Sequence, residues 1–184
     1  MPGPLIRRAT ALPRFRLRFP AARIPYWASR FADAEDDAAI RRAVAHARRA
    51  GYLRKADLAA LARWKTPRSA RRIARNAEAS VRKATRTALS TRDERARIEI
   101  LTSLSGVGWP TASVILHFCH RDPYPILDYR ALWSVGVAQA PSYRFEFWQQ
   151  YTQVCRRAAA KAGCSMRALD RALWQYSRER QPTD

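Results

Sequence analysis

Two apolar stretches with helical spacing meet at Ser105-Gly106-Val107-Gly108, and this joint constrains the fold more than any other feature of the chain. The first stretch carries Ile98, Leu101 and Leu104 on one side and is expected to end at Leu104; the second starts near Trp109. So short a link makes the two helices run back on one another. Gly106 and Gly108 permit positive φ and leave the tip without side chains. Val107 is placed to pack between the helices and fix their angle. The amides of Gly108 and the residues after it, Thr111 included, then point outward at a helix start. Such a terminus binds a phosphate without a charged side chain. An ordinary helical hairpin has the same turn, so the Gly-x-Gly alone says little.

The rest of the chain reads as more helices. An acidic patch, Asp33, Glu35, Asp36 and Asp37, suits the positive end of a helix running to about Ala50, with Gly51 as its stop. A short helix follows from Asp57 to Trp64. Thr66-Pro67 reads as an N-cap with proline at the first helical position, and Thr91 with Glu94 as a capping box. Phe145, Trp148, Thr152 and Cys155 mark one long helix, and Leu169, Leu173 and Tyr176 a last one. Residues 33–178 lack strand alternation, repeats and low-complexity tracts. The fold class is therefore all-α: a compact multi-helix globule over residues 26–180, preceded by a basic irregular arm at 1–25. Arg14–Phe19 alternates Arg with apolar residues, so a short strand is admissible there.

Charge narrows the partners. Lys and Arg number 35 against 15 acids in 184 residues, a net charge of +20. Base composition of the genome accounts for part of the Arg-over-Lys choice, but not for the scarcity of acids. Such a field attracts polyanions, nucleic acid above all, with an anionic membrane surface as the weaker rival. Arg68, Arg71, Arg72 and Arg75 fall at i, i+3, i+4 and i+7, one face of an expected helix; Arg82, Lys83 and Arg86 follow. From Arg63 to Arg86 there are nine basic residues and one acid, Glu78. A merely solvated face mixes signs to limit self-repulsion, so this stripe reads as a phosphate-binding surface.

Cys119, Cys155 and Cys164 fit neither a zinc site nor a disulfide framework, and free thiols suit a reducing cytoplasm. No apolar run is long enough to cross a membrane. His117 and His120 lack the neighbours that would complete a metal site.

Leu101–Gly136 as a whole, LTSLSGVGWPTASVILHFCHRDPYPILDYRALWSVG, resembles the helix-hairpin-helix base-excision DNA glycosylases. In that family the hairpin is followed, after one helix and a loop, by Pro-aliphatic-Asp, and the Asp starts the next helix as the catalytic carboxylate. Here Pro125-Ile126-Leu127-Asp128 stands at that place. The segment is most similar to the adenine-excising and endonuclease III-type branch. The resemblance covers 36 residues; outside it only helical layout and basicity agree.

The resemblance implies double-stranded DNA as partner, a monomer, and excision of a flipped modified or mismatched base. The hairpin residues Gly106, Val107, Gly108 and Thr111 would meet DNA beside Arg68, Arg71, Arg72, Arg75, Arg82 and Lys83. Asp128 would stabilise the oxocarbenium-like sugar, with Trp109, Tyr129 and Arg130 as candidates for the pocket and His120 as a weaker candidate for its wall. No organic cofactor is implied, although hairpin carbonyls can hold a potassium or sodium ion, and the expected location is cytoplasmic, on the nucleoid. The chain departs from the family in three ways. Pro110 replaces the nucleophilic lysine of the bifunctional branch, so a monofunctional enzyme is expected. The four cysteines of an iron–sulfur cluster are missing, and so is a recognisable N-terminal base-interrogating loop. The alternatives are a non-catalytic helix-hairpin-helix DNA-binding module, in which Asp128 is only a helix cap, and an RNA-binding protein, for which the PILD segment has no purpose.

Overall fold

The structure, a computed structural model, describes residues 12–32, 38–139 and 142–182. Ten α-helices occur among the described residues, and no strand. In order they are α1 (Ile24–Ser29), α2 (Ala38–Ala50), α3 (Lys55–Lys65), α4 (Ala70–Ile73), α5 (Glu78–Ser90), α6 (Glu94–Thr102), α7 (Trp109–Cys119), α8 (Tyr129–Ser134), α9 (Phe145–Lys161) and α10 (Met166–Arg180). Single 3-10 turns, Ala21–Arg23 and Pro67–Ser69, precede α1 and α4. No helix among the described residues is long and apolar enough to cross a membrane.

The apolar residues form two clusters. One gathers Leu58, Leu61, Ile73, Val81, Ile98, Leu101, Val114 and Ile115 from α3 to α7. The other gathers Ile24 and Trp27 of α1, Leu132 of α8, Phe147 and Tyr151 of α9, and Leu169 and Leu173 of α10. Trp109, at the start of α7, packs against both. The Pro-Ile-Leu-Asp stretch crosses the same seam, since Ile126 belongs to the first cluster and Leu127 to the second. The catalytic candidate therefore emerges where the two halves of the core meet.

Several local expectations change. The acidic patch at 33–37, Arg7 and Arg8 lie outside the described residues. Arg14–Phe19 is not a strand: Phe15 and Phe19 are buried, and the amides of Arg16 and Arg18 donate to the carbonyls of Val135 and Ser134 at 2.8 and 2.9 Å. The two backbone bonds thus tie this part of the basic segment to the end of α8, while Phe15 packs on Phe147 and Tyr151 and Phe19 on Trp27 and Tyr176. Asp93, not Thr91, caps α6, accepting from the amides of Arg95 and Ala96, while Thr91 Oγ1 accepts from the Asp93 amide. The helix closes at Thr102, and Leu104 is buried in the turn beyond it.

The expected single helix under the arginine stripe is also interrupted. Pro67–Ser69 forms a 3-10 turn with no cap bond from the Thr66 side chain, α4 ends at Ile73, and α5 begins only at Glu78. Asn76 accounts for the break. Its Nδ2 donates to the Ile73 carbonyl at 3.0 Å, satisfying a helix-end acceptor from the side.

Candidate nucleic-acid interface and active site

The turn between α6 and α7 is held from below. The Val107 amide donates to the Leu104 carbonyl at 3.0 Å, and both side chains are buried. Asn76 grips the turn through two further bonds: Nδ2 to the Ser105 carbonyl and the Ser105 amide to Oδ1, each 2.8 Å. Gly106 has φ +80°, and a Cβ on it would lie 2.9 Å from both the Ile73 nitrogen and the Arg72 Cβ. Its hydrogen side chain therefore serves two needs, a left-handed backbone and close approach to α4.

Gly108 differs from the expectation. Its φ is −90° and ψ 177°, extended backbone that any residue adopts, and an added Cβ would meet only Pro110 Cδ at 3.8 Å. Nothing inside the protein requires glycine there. Gly108 is exposed at the N-cap of α7, and the first helical bond is Ala112 amide to Gly108 carbonyl at 2.9 Å. Amides ahead of that bond have no intrahelical partner. Thr111 is only 3% exposed, so the accessible rim of this terminus is Gly108 and Trp109 rather than Thr111.

Basic residues lie on the segments next to this turn. Arg68, Arg71, Arg72, Arg75 and Lys83 are all exposed. The contact of Gly106 with Arg72 and Ile73, and the Asn76–Ser105 bonds, set the Arg71–Arg75 stretch directly against the turn. Arg75 and Lys83 also line a groove of about 540 Å³ that reaches Ser103 and Leu104 at the end of α6. Arg82 has another engagement, donating to Glu78 at 2.7 Å across an exposed i, i+4 pair.

Asp128 is the N-cap of α8. Its Oδ1 accepts from the Arg130 amide at 2.9 Å, and its Oδ2 accepts from Lys65 Nζ at 2.5 Å. The side chains of Lys65 and Asp128 are 12% and 18% exposed, which shields their attraction from bulk water. The backbone that presents Asp128 is pinned on both sides of the seam. Ser113 Oγ on α7 accepts from the Leu127 amide at 2.8 Å, and Tyr151 on α9 donates to the Ile126 carbonyl at 3.0 Å. Lys65, Ser113 and Tyr151 went unmarked in the sequence reading. Ser113 and Tyr151 carry no distinguishing sequence signal, and Lys65 was only one cation in a long basic run.

A cleft of about 550 Å³ opens over the pair. Lys65, Thr66, Pro67 and Arg68 form one wall, Pro110 of α7 another, and Leu127, Asp128, Tyr129 and Tyr143 complete it. Burial first, and then the negative charge of Asp128, keep the Tyr143 phenol above its ordinary range, so it stays a neutral hydrogen-bonding group. Tyr129 is 60% exposed at the mouth, with the Arg130 guanidinium 5.1 Å from its ring centre. Arg130 also lies over Trp174 at 5.3 Å. Trp109 does not line the cleft; it fills the seam, 6.4 Å from the Trp148 ring.

The histidines stand apart. His117 Nδ1 lies 2.7 Å from the Tyr124 carbonyl, and burial pushes its pKa down. His120 borders a different hollow with Arg48 and Cys119, so it is not part of the wall around Asp128. Burial raises the Cys119 thiol to about 12, which leaves it an inert core group. No group of three or more metal-ligating side chains occurs among the described residues. Compared with known proteins, the chain matches no protein-family model, no curated protein and no solved structure.

Proposed function

We propose that the chain binds duplex DNA through a helix-hairpin-helix element, α6–turn–α7, and releases a flipped modified or mismatched base by N-glycosidic hydrolysis. The observation that carries the reading is the adjacency of three parts found far apart in the sequence. An open α7 terminus, a surface rich in exposed arginines and a carboxylate-floored cleft adjoin one another, linked by Gly106 against α4 and by Pro110 and Arg68 in the cleft wall. The terminus takes one phosphate. Arg68, Arg71, Arg72 and Arg75 take its neighbours.

Cleaving the bond between base and sugar puts positive charge on the sugar. Asp128, fixed by the Arg130 amide and by the pinned Ile126–Leu127 backbone, supplies an anion whose position costs no reorganisation during the reaction. Tyr129 and Tyr143 offer aromatic surface to the extruded base. Water is the attacking group in this step, since Pro110 occupies the hairpin position from which a lysine would act. Duplexes carrying single modified or mismatched bases, treated with alkali after incubation to reveal abasic sites, test the reaction. Release from at least one duplex is the expected result.

One observation favours the non-catalytic module: both oxygens of Asp128 already have partners, one in a helix cap and one in an ion pair. On that reading duplex binding persists and no base is released. Stronger binding of structured RNA than of duplex DNA at equal salt would replace both readings.

A further inference from the structure

Arginine serves two different purposes on this surface. Arg30, Arg54, Arg82 and Arg95 each pair with an acid. Arg130 and Arg178 lie over aromatic rings instead, and no ion pair joins either to an acid among the described residues. Tyr129 and Arg130 are the first two residues of α8, and Trp174 and Arg178 stand one turn apart on α10. The Arg130 guanidinium bridges two rings, 5.1 Å from the centre of Tyr129 and 5.3 Å from that of Trp174, while Arg178 lies 5.4 Å from Trp174. Tyr129 and Arg178 are exposed, and Arg130 and Trp174 are half-buried. Phe31 sets its edge against the indole at 5.3 Å and 79°, which holds that ring in place. From the cleft mouth outward, rings and cations therefore alternate.

Phosphate alone asks for cations and makes no use of rings. A strand whose bases are unpaired uses both: its bases stack on aromatic and guanidinium planes, and its phosphates meet the charge. Inside a continuous duplex each base face is covered by its neighbour, so the rings have nothing to receive. We propose that the Tyr129–Arg130–Trp174–Arg178 strip holds an unpaired DNA strand leading away from the cleft. The preferred partner is then a junction between duplex and single strand rather than an uninterrupted duplex. This rests on the DNA reading of the site and names the form of DNA that the site takes.

The test uses the full chain and fluorescence anisotropy at one salt concentration. Three kinds of DNA are compared: a blunt hairpin duplex, the same hairpin with a short thymidine tail of either polarity, and the same hairpins tailed with abasic spacer units. The spacer tail keeps the phosphates and removes the bases. In at least one polarity the thymidine tail should bind at least ~5-fold more tightly than the spacer tail, the size expected for stacking of a single base. Trp174→Leu should abolish that difference with blunt-hairpin affinity retained, and Trp174→Phe should keep most of it. Because Trp174 packs on Phe31, the wild type gives an independent reading: 5-iodouracil in the tail should photocrosslink to Tyr129 or Trp174, located by peptide mapping. Equal binding of thymidine and spacer tails, an undiminished difference in folded Trp174→Leu, or crosslinks only at other residues overturns the inference and leaves the DNA reading standing. Failure to bind any of the hairpins overturns both.

Discussion

The two glycines of the turn should respond to substitution in opposite ways. Gly106→Ala places a methyl group in left-handed backbone, costing about 1–2 kcal/mol. The same methyl would lie 2.9 Å from the Ile73 nitrogen and from Arg72 Cβ. Ile73 is anchored in the core and its nitrogen is backbone, so relief needs a shift of α4 against the turn, comparable to overpacking at about 1–3 kcal/mol. The sum, about 2–5 kcal/mol, corresponds to a fall in melting temperature on the order of 10 °C for a chain of this size. Gly108→Ala meets nothing closer than 3.8 Å at an ordinary φ. Its cost is the poorer capping of alanine, under about 1 kcal/mol. Its methyl group does, however, stand at the exposed α7 terminus, where a phosphate would need to approach within about 3 Å. Losing a charge-assisted bond worth about 1.5–3 kcal/mol weakens duplex binding by about 10- to 100-fold. Thermal melting and fluorescence anisotropy on both variants check this. Equal stability losses would refute the packing argument, and unchanged affinity in folded Gly108→Ala would remove the terminus from the interface.

Replacing Arg71, Arg72 and Arg75 with glutamine should weaken duplex binding for all sequences and flatten the log affinity–log salt slope by about one unit per lost phosphate contact; an unchanged slope would exclude this surface. Asn76→Ala removes the bonds to Ile73 and to both polar groups of Ser105, so it should destabilise the fold by about 1–3 kcal/mol and reduce duplex affinity even under conditions where it remains folded. If melting and affinity are both unaffected, Asn76 does not hold the turn to the basic surface. Burial, opposed by the charge of Asp170, lowers the pKa of His117 from its ordinary 6.5. The unfolded chain therefore takes up a proton that the folded chain resists, and stability should fall as pH drops below about 6.5 toward the depressed folded value. His117→Gln should flatten that pH dependence of the melting temperature, and an unaltered dependence would assign it to other groups.

The elements most legible in the sequence were those written in local signals. The spacing of Phe145, Trp148, Thr152 and Cys155 marks α9, whose four residues are all buried, and Leu169 and Leu173 mark the inner side of α10. The Ser-Gly-Val-Gly joint and the cap at Asp128 were equally local. The contacts that assemble the site were not. Lys65 meets Asp128 across 63 residues, Asn76 meets Ser105 across 29, and Ser113 meets Leu127 across 14. Each is a single polar side chain whose partner is set by tertiary packing. The arginine stripe misled for a related reason: its helical spacing is real, but the side chain of Asn76 competes for the backbone carbonyl of Ile73 and ends the helix. Gly108 shows the converse, since a residue able to adopt positive φ need not use it.

The central claim is that Asp128 stabilises a cationic sugar, and the rate of base release by the wild type and by Asp128→Asn tests it most directly. Asparagine can still cap α8 by accepting from the Arg130 amide. It leaves the Lys65 ammonium without its counter-ion, for a stability cost of about 1–3 kcal/mol, so melting is checked alongside. With the fold retained, duplex affinity should be kept or improved, because an anion near the phosphates is gone. Base release, measured with alkali on the duplex that the wild type processes, should slow by at least ~100-fold. Similar rates for the two proteins would show that Asp128 is not the catalytic group, and a wild type that releases nothing from a broad panel would leave the non-catalytic module as the account of this face.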